Sequence, residues 1–118
     1  MNTEELITLL NTDADNVSFD QVMQTITADY DYTPVRFSNG FGDTAAINEA
    51  GTNEGSCKIF SFAWLNNLSK ELTLQCFGDY YRKDVLDNPD GTDHTNIRNF
   101  MQDGWDGIHF ESEALSKK

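Results

Sequence analysis

The segment 88–110, NPDGTDHTNIRNFMQDGWDGIHF, constrains the fold more than any other part of this chain. Its Pro-Asp-Gly sequence predicts a tight turn, after which Thr92 or Asp93 caps a helix that ends at Gly104. Alternating apolar and polar residues at about 108–111 then predict a short strand. The segment therefore predicts a chain reversal, a helix and a closing strand in immediate succession.

Two helices are predicted at the amino-terminal end from their capping residues. Thr3 can cap a first helix over about 4–11, with two glutamates at the positive end of its dipole. Ser18 and Gln21 have the spacing of a capping box, and apolar residues follow at helical intervals.

Two more helices follow in the middle of the chain. The first covers about 57–67 and is apolar nearly all round, which predicts a central, buried helix. Ser69 caps the next one, and Gly78 in its middle is expected to permit close packing.

Residues 35–38 alternate in polarity and predict a second short strand. Residues 38–55 hold four glycines and predict a long irregular loop, whereas the tail after 111 is expected to be solvated or frayed. The length predicts one domain over 1–118. The expected fold is α+β and mainly helical, with about five helices and a small two-stranded sheet from 35–38 and 108–111.

The chain is strongly acidic, with 20 Asp and Glu against 8 Lys and Arg and a net charge of −12. Residues 1–54 hold ten acids and one base (−9), and residues 55–118 hold ten acids and seven bases (−3). Such a surface repels phosphate backbones and anionic headgroups, which argues against nucleic acid and membranes as partners. We expect the charge to solvate the protein, or to face a protein partner with a basic surface.

The sequence predicts a cytoplasmic protein with reduced thiols. No apolar run approaches the roughly 18 residues that a transmembrane helix needs. The amino terminus lacks the basic flank and the cleavage site of a signal peptide. Cys57 and Cys76 both fall in helical contexts, which is not the pattern of a disulfide framework.

Cys57 is a candidate nucleophile because it lies at a predicted helix N-terminus, where the helix dipole lowers a thiol pKa. His94 or His109 would be the base, and Asp93 or Asp106 the orienting acid, of a cysteine-dependent hydrolase or transferase. The surrounding GSC sequence loosely resembles the cysteine region of papain-type proteases.

Two observations argue against that chemistry. The papain-type cysteine is followed by an aromatic residue, whereas Lys58 holds that place here, and the chain is about half the length of such an enzyme. A packed small residue is the simpler interpretation of Cys57, and Cys76 is expected to lie in the core.

The acidic loop 87–93 superficially resembles a calcium-binding loop. If Gly91 is aligned with the invariant glycine, Leu86 and Ile97 occupy the first and twelfth ligand positions, where carboxylates are needed. We therefore expect no metal and no cofactor, and we assign Asp90 to stabilising the turn.

The loop 38–55 and the turn 88–95 together form the expected contact surface. The candidate binding residues are polar or aromatic and lie in or near these segments: Asn53, Glu54, Asp90, Asp93, His94, Arg98 and Trp105. A small-ligand site lined by aromatic residues is a further hypothesis, with Trp64, Tyr80, Tyr81 and Trp105 as its walls.

Several motifs together resemble the HopJ type III effector family. They are FSNGFGD at 37–43, NEAGTNEGSCKIFSFAWL at 48–65, FGDYYRKDVL at 77–86 and the 88–110 segment, so the resemblance is strongest over 37–110. It implies an effector-like protein, with secretion through a type III system implied by the family name alone. It brings no catalytic residues that could be assigned to this chain.

The leading functional hypothesis is therefore a small acidic protein that acts through protein–protein contacts without catalysis. The alternatives are the Cys57–His94 enzyme and the small-ligand binder.

Overall fold

The computed structural model describes all 118 residues. Three short 3₁₀ helices, Ala14–Asn16, Gly42–Thr44 and Gly104–Gly107, lie between the main elements. The main elements of this α+β fold are five α-helices, a π-helical segment and five three-residue strands in two antiparallel sheets. They are α1 Thr3–Asp13, α2 Phe19–Asp29, β1 Tyr30–Tyr32, β2 Phe37–Asn39, β3 Ala46–Asn48, α3 Glu54–Leu65, α4 Lys70–Gln75, the π-helix Tyr80–Val85, α5 Thr95–Asp103, β4 Ile108–Phe110 and β5 Leu115–Lys117. No helix is both long and apolar enough to cross a bilayer.

Local capping signals set the first two helices. Ser18 and Gln21 form the predicted capping box at the start of α2. For α1 the cap is one residue earlier than predicted, since Asn2 caps the helix in a second capping box with Glu5. Since Thr3 does not cap the helix, it has a different role: its backbone N–H and its hydroxyl both donate to Asp29, at 2.8 and 2.6 Å.

The predicted pairing of the two strands is confirmed, but the sheet has a third strand. β2 lies in the centre, with Phe37 opposite Phe110 of β4 on one side and opposite Asn48 of β3 on the other. β3 falls inside the segment 38–55, which was predicted to be irregular. The sequence did not indicate this strand because its apolar Ile47 is exposed and its polar Asn48 is buried, which reverses the usual pattern.

The prediction of a frayed tail is wrong. β5 pairs with β1 in a separate two-stranded sheet, with Tyr30 opposite Lys117. Ala114 and Leu115 are buried in the core. The two apolar residues hold the tail in place because their burial offsets the entropy of ordering it.

α3 is the central helix, as predicted, and Phe60 and Phe62 are fully buried within it. Its last turn is different, because Trp64 and Leu65 lie largely in solvent. The sequence of α3 is therefore apolar nearly all round for two reasons. Its middle turns are buried in the core, and its last turn carries an exposed apolar surface.

The predicted fourth helix is interrupted at Gly78. α4 ends at Gln75, Gly78 has a φ of +61°, and the chain resumes as the π-helix. A Cβ at Gly78 would lie 2.7 Å from the backbone nitrogen of Phe19, so the predicted close packing is present. The left-handed turn is possible because glycine adopts positive φ without steric cost.

α5 ends at Gly104, as predicted, with a φ of +60°. Its start is later than predicted, since the helix begins at Thr95. The N-cap residue is therefore His94 and not Thr92 or Asp93. His94 has a φ of 51°, a left-handed conformation that is uncommon for a residue other than glycine.

Candidate functional site

A cavity of about 580 Å³ lies where the first turns of α3 and α5 meet β3 and the π-helix. We call it the two-helix cavity. Its lining residues are Phe19, Ala46, Ile47, Asn48, Asn53, Gly55, Ser56, Phe77, Tyr80, His94, Thr95, Asn96 and Ile97. None of them is Asp or Glu, although the chain has 20 such residues. This hollow of an acidic protein is thus not lined by any carboxylate.

The first wall is the N-terminus of α3. Asn53 precedes the helix in a left-handed conformation, with a φ of 48°, and its side chain does not cap the helix. The first bond of this helix runs from Cys57 N–H to the Asn53 carbonyl. The N–H groups of residues 54–56 therefore have no acceptor within the chain, as at any uncapped helix start.

The second wall is the N-terminus of α5, which has the same construction. His94 is the left-handed N-cap residue, its side chain does not cap the helix, and the first bond runs from Arg98 N–H to the His94 carbonyl. The N–H groups of residues 95–97 are likewise without an acceptor. The positive ends of two helix dipoles are thus brought to one cavity.

A network of four asparagine side chains, of which Asn39, Asn48 and Asn96 are buried, holds the two walls together. Asn48 and Asn96 exchange two hydrogen bonds, with Asn96 Nδ2 donating at 2.9 Å and Asn48 Nδ2 donating at 3.1 Å. Asn53 Nδ2 donates to Asn48 Oδ1 at 2.7 Å, and Asn39 Nδ2 donates to the Asn96 carbonyl at 2.8 Å. The network joins β2, β3 and the starts of both helices, so the relative position of the two walls is fixed.

Three residues of this network were not predicted from the sequence, namely Asn39, Asn48 and Asn96. One signal was present for Asn39, since strand alternation places it on the same face as the buried Phe37. No signal in the sequence showed that these amides meet.

His94 lies at the rim of the two-helix cavity. Its Nε2 is 3.1 Å from a carboxylate oxygen of Asp84 and 3.9 Å from one of Asp93, and its ring lies 5.4 Å from the ring of Tyr80. The imidazole ring therefore lies between Tyr80, which lines the cavity, and the carboxylates of Asp84 and Asp93 outside it.

Arg98 holds the turn that precedes α5. It donates to the carbonyl of Asp93 at 2.6 Å, to the Asp93 carboxylate at 2.8 Å and to the carbonyl of Asn88 at 2.9 Å. The hydrogen bond from Arg98 lowers the pKa of Asp93. Asp90 is exposed in the same turn. The described chain contains no group of three side chains that could hold a metal ion.

The structure places Cys57 away from the cavity lining. The thiol is 1% exposed, and its hydrogen-bond partner is the carbonyl of Val35 at 4.0 Å. Burial raises its pKa, which opposes formation of the thiolate that a nucleophile needs. No hydrogen bond joins Cys57 to His94 or to Asp93, so this geometry does not provide the nucleophile–base contact of a cysteine enzyme.

The four aromatic residues considered for a ligand site do not share one pocket. Tyr80 lines the two-helix cavity, whereas Tyr81 packs against the core. Trp64 and Trp105 lie in contact with each other elsewhere, with ring centres 5.6 Å apart. Trp105 Nε1 donates to the carbonyl of Leu68. The four aromatic residues therefore do not line one common pocket, although Trp64 and Trp105 both line a separate hollow of about 520 Å³.

Among the candidate binding residues, Asn53 and His94 line the two-helix cavity. Asp93 contacts His94 at its rim, and Arg98 holds the adjoining turn. Glu54 begins α3 but accepts a hydrogen bond from Tyr32, away from the cavity lining. Residues 46–48, 53 and 55 of the loop 38–55 and residues 94 and 95 of the turn 88–95 thus line one hollow.

Comparison with known proteins gives a family but no activity. A family model described as HopJ type III effector protein matches residues 3–115. The crystal structure of a protein described as "unknown function protein VPA0580" has a TM-score of 0.94 and 47% sequence identity, and the match covers 100% of this chain and 95% of that chain. A search of curated proteins finds no match. Since the family model spans almost the whole sequence, this chain belongs to the HopJ type III effector protein family.

Proposed function

We propose that this protein is a non-catalytic binding module that recognises an anionic group, a carboxylate or a phosphate, in the two-helix cavity. The observation that carries the proposal is the convergence of two uncapped helix N-termini on a hollow without carboxylates. Helix N-termini bind anions because their free N–H groups and the helix dipole both favour negative charge. Two of them in one cavity supply such donors from Gly55 and Ser56 of α3 and from residues 95–97 of α5, all of which line the cavity.

The composition of the cavity supports recognition rather than reaction. Its side chains are amides, hydroxyls and apolar groups, with His94 at the rim. Asn48 and Asn96 are largely buried and already paired to each other, which keeps the walls rigid before a ligand arrives. A preformed site loses less conformational entropy on binding.

The acidic surroundings add selectivity. Asp84 and Asp93 stand outside the cavity, beside His94. They repel anions that would bind elsewhere on this face, and they attract a partner whose anionic group is flanked by basic residues. The partner would therefore have the expected basic surface and, within it, one anionic group that binds in the two-helix cavity. We call this group the anionic anchor. If the protein acts as an effector, its target would supply that anchor.

Thermal denaturation with a charge-introducing variant tests the proposal. Ser56→Asp places a carboxylate in the first turn of α3, where the helix dipole favours it, so the fold is retained. Thr8→Asp adds the same charge on the exposed face of α1 and is the matched control. Inorganic phosphate and acetate are expected to raise the Tm of the wild type and of T8D, but not of S56D. Equal shifts in all three proteins would contradict binding in the cavity.

A further inference from the structure

The other end of α3 carries an exposed apolar surface. Trp64 is 63% exposed and Leu65 is 46% exposed, directly after the buried turns of the helix. Exposed tryptophans in contact with other apolar groups are typical of protein interfaces, since tryptophan supplies large contact area at a small entropic cost. We call this region the Trp64 surface.

Two hollows flank Trp64, which forms the ridge between them. One, of about 240 Å³, is bounded by Leu65, Phe110 and Leu115. The other, of about 520 Å³, is bounded by Trp105 and Ile108. The surface therefore has the relief needed to receive side chains, rather than a single flat patch.

Carboxylates are the charged side chains around both hollows. Glu113 lines the smaller hollow, Asp106 lines the larger one together with His109, and neither hollow is lined by Lys or Arg. A cation against the face of Trp64 would gain a cation–π contact in addition to these carboxylates. The charge of this surface therefore favours a basic partner.

We propose that the Trp64 surface docks a peptide segment of a partner protein in which a large apolar side chain neighbours a Lys or Arg. The apolar side chain enters the smaller hollow, between Leu65, Phe110 and Leu115. The cation lies on Trp64 between Glu113 and Asp106. This surface involves the opposite end of α3 from the two-helix cavity and is independent of the function proposed there.

Selection from a displayed library of random peptides tests the proposal. The full chain is expected to enrich peptides with an aromatic or aliphatic residue next to Lys or Arg. Synthetic versions are expected to bind Trp64→Ala at least tenfold more weakly. Phe41→Ala removes an aromatic residue that is 53% exposed and lines neither hollow, and its affinity is expected to equal that of the wild type.

A further pair of variants tests the contribution of charge. Glu113→Lys is expected to weaken binding at least fivefold, whereas Asp87→Lys, which changes an exposed acid that lines neither hollow, is expected to leave binding unchanged.

Four results would overturn the proposal. They are a failure to enrich any peptide, enrichment of acidic peptides, unchanged affinity in W64A, and concentration-dependent dimerisation that buries Trp64. The last result would assign the surface to a second copy of this chain.

Discussion

Asn48 and Asn96 form a reciprocal amide pair, with hydrogen bonds of 2.9 and 3.1 Å, that joins β3 to the first turn of α5. The pair is buried, and both residues line the two-helix cavity. A buried reciprocal pair defines the geometry on both sides, since neither amide can turn without losing a bond. We infer that the pair sets the distance between the two helix N-termini.

The first prediction concerns this pair. Asn96→Ala removes one amide and leaves a buried donor of Asn48 with only long contacts to carbonyls. We expect unfolding by urea to show a loss of about 2 kcal/mol, the usual cost of a buried polar group left without a good partner. Asn11→Ala on the exposed face of α1 is the control, with an expected change within about 0.5 kcal/mol. Equal stability of the two variants would contradict a fixing role for the pair.

The second prediction compares alanine substitutions at two glycines of positive φ. The comparison separates the cost of steric overlap from the cost of a left-handed backbone. Gly78→Ala introduces a Cβ 2.7 Å from the Phe19 nitrogen, in addition to left-handed strain, so we expect a loss of about 3 kcal/mol or more. Gly51→Ala meets no atom within 4 Å and bears only the conformational cost, about 1 kcal/mol. Chemical denaturation of both variants measures the difference, and a smaller loss for G78A than for G51A would be inconsistent with the structure.

The third prediction is a pH dependence from the contact between Asp29 and Thr3. The two hydrogen bonds from Thr3, the side-chain bond first, lower the pKa of Asp29 below its ordinary value of 3.8. A lowered folded-state pKa stabilises the protein above pH 3.8, and this contribution is lost as the pH falls through the folded-state pKa. Asp29→Asn is therefore expected to show a smaller fall in Tm between pH 5 and pH 2.

The control for that measurement is Asp43→Asn, which removes an exposed carboxylate that accepts no hydrogen bond from another side chain. It should follow the wild-type profile. A D29N profile that also follows the wild type would show that the contact does not contribute to stability.

The fourth prediction addresses the cysteine hypothesis. Burial raises the pKa of Cys57, and it raises the pKa of Cys76 to about 12. Alkylation requires the thiolate, so we expect iodoacetamide at neutral pH to modify both thiols on the order of a hundredfold more slowly in the folded protein than in urea. Mass spectrometry of the labelled peptides measures each site.

His94→Ala is the matched variant for that experiment, and it should leave the labelling rate of Cys57 unchanged. Fast labelling of Cys57 that depends on His94 would restore the enzyme hypothesis.

The sequence predicted those parts of the fold that depend on local interactions. Ser18 with Gln21 and the stop at Gly104 are contained within single helices, so their residues show the boundary directly. The pairing of β2 with β4 was also predictable, because both segments show alternation. By contrast, β1 and β5 pair with each other from opposite parts of the chain. In β3 the apolar Ile47 is exposed and the polar Asn48 is buried, which reverses the usual pattern of a strand.

The candidate site was predictable only in part, for a similar reason. Asn53 and His94 were identified as polar residues in suggestive loops, but their left-handed backbone is not typical of a helix N-cap residue. The lack of carboxylates in the cavity is a property of the tertiary arrangement, since acids lie close to its residues in the sequence, as Glu54 and Asp93 show. The signal at Cys57 was misleading, because the helix start that would activate it faces the cavity while the thiol faces the core.

The central claim is that the first turns of α3 and α5 together bind an anion. Titration of the ¹⁵N-labelled protein with inorganic phosphate, followed by amide chemical shifts, tests this most directly. The structure predicts saturable shifts of one common affinity at the amides of Gly55, Ser56, Thr95 and Asn96. Unmoved amides at both helix N-termini, or shifts confined to surface lysines, would contradict it.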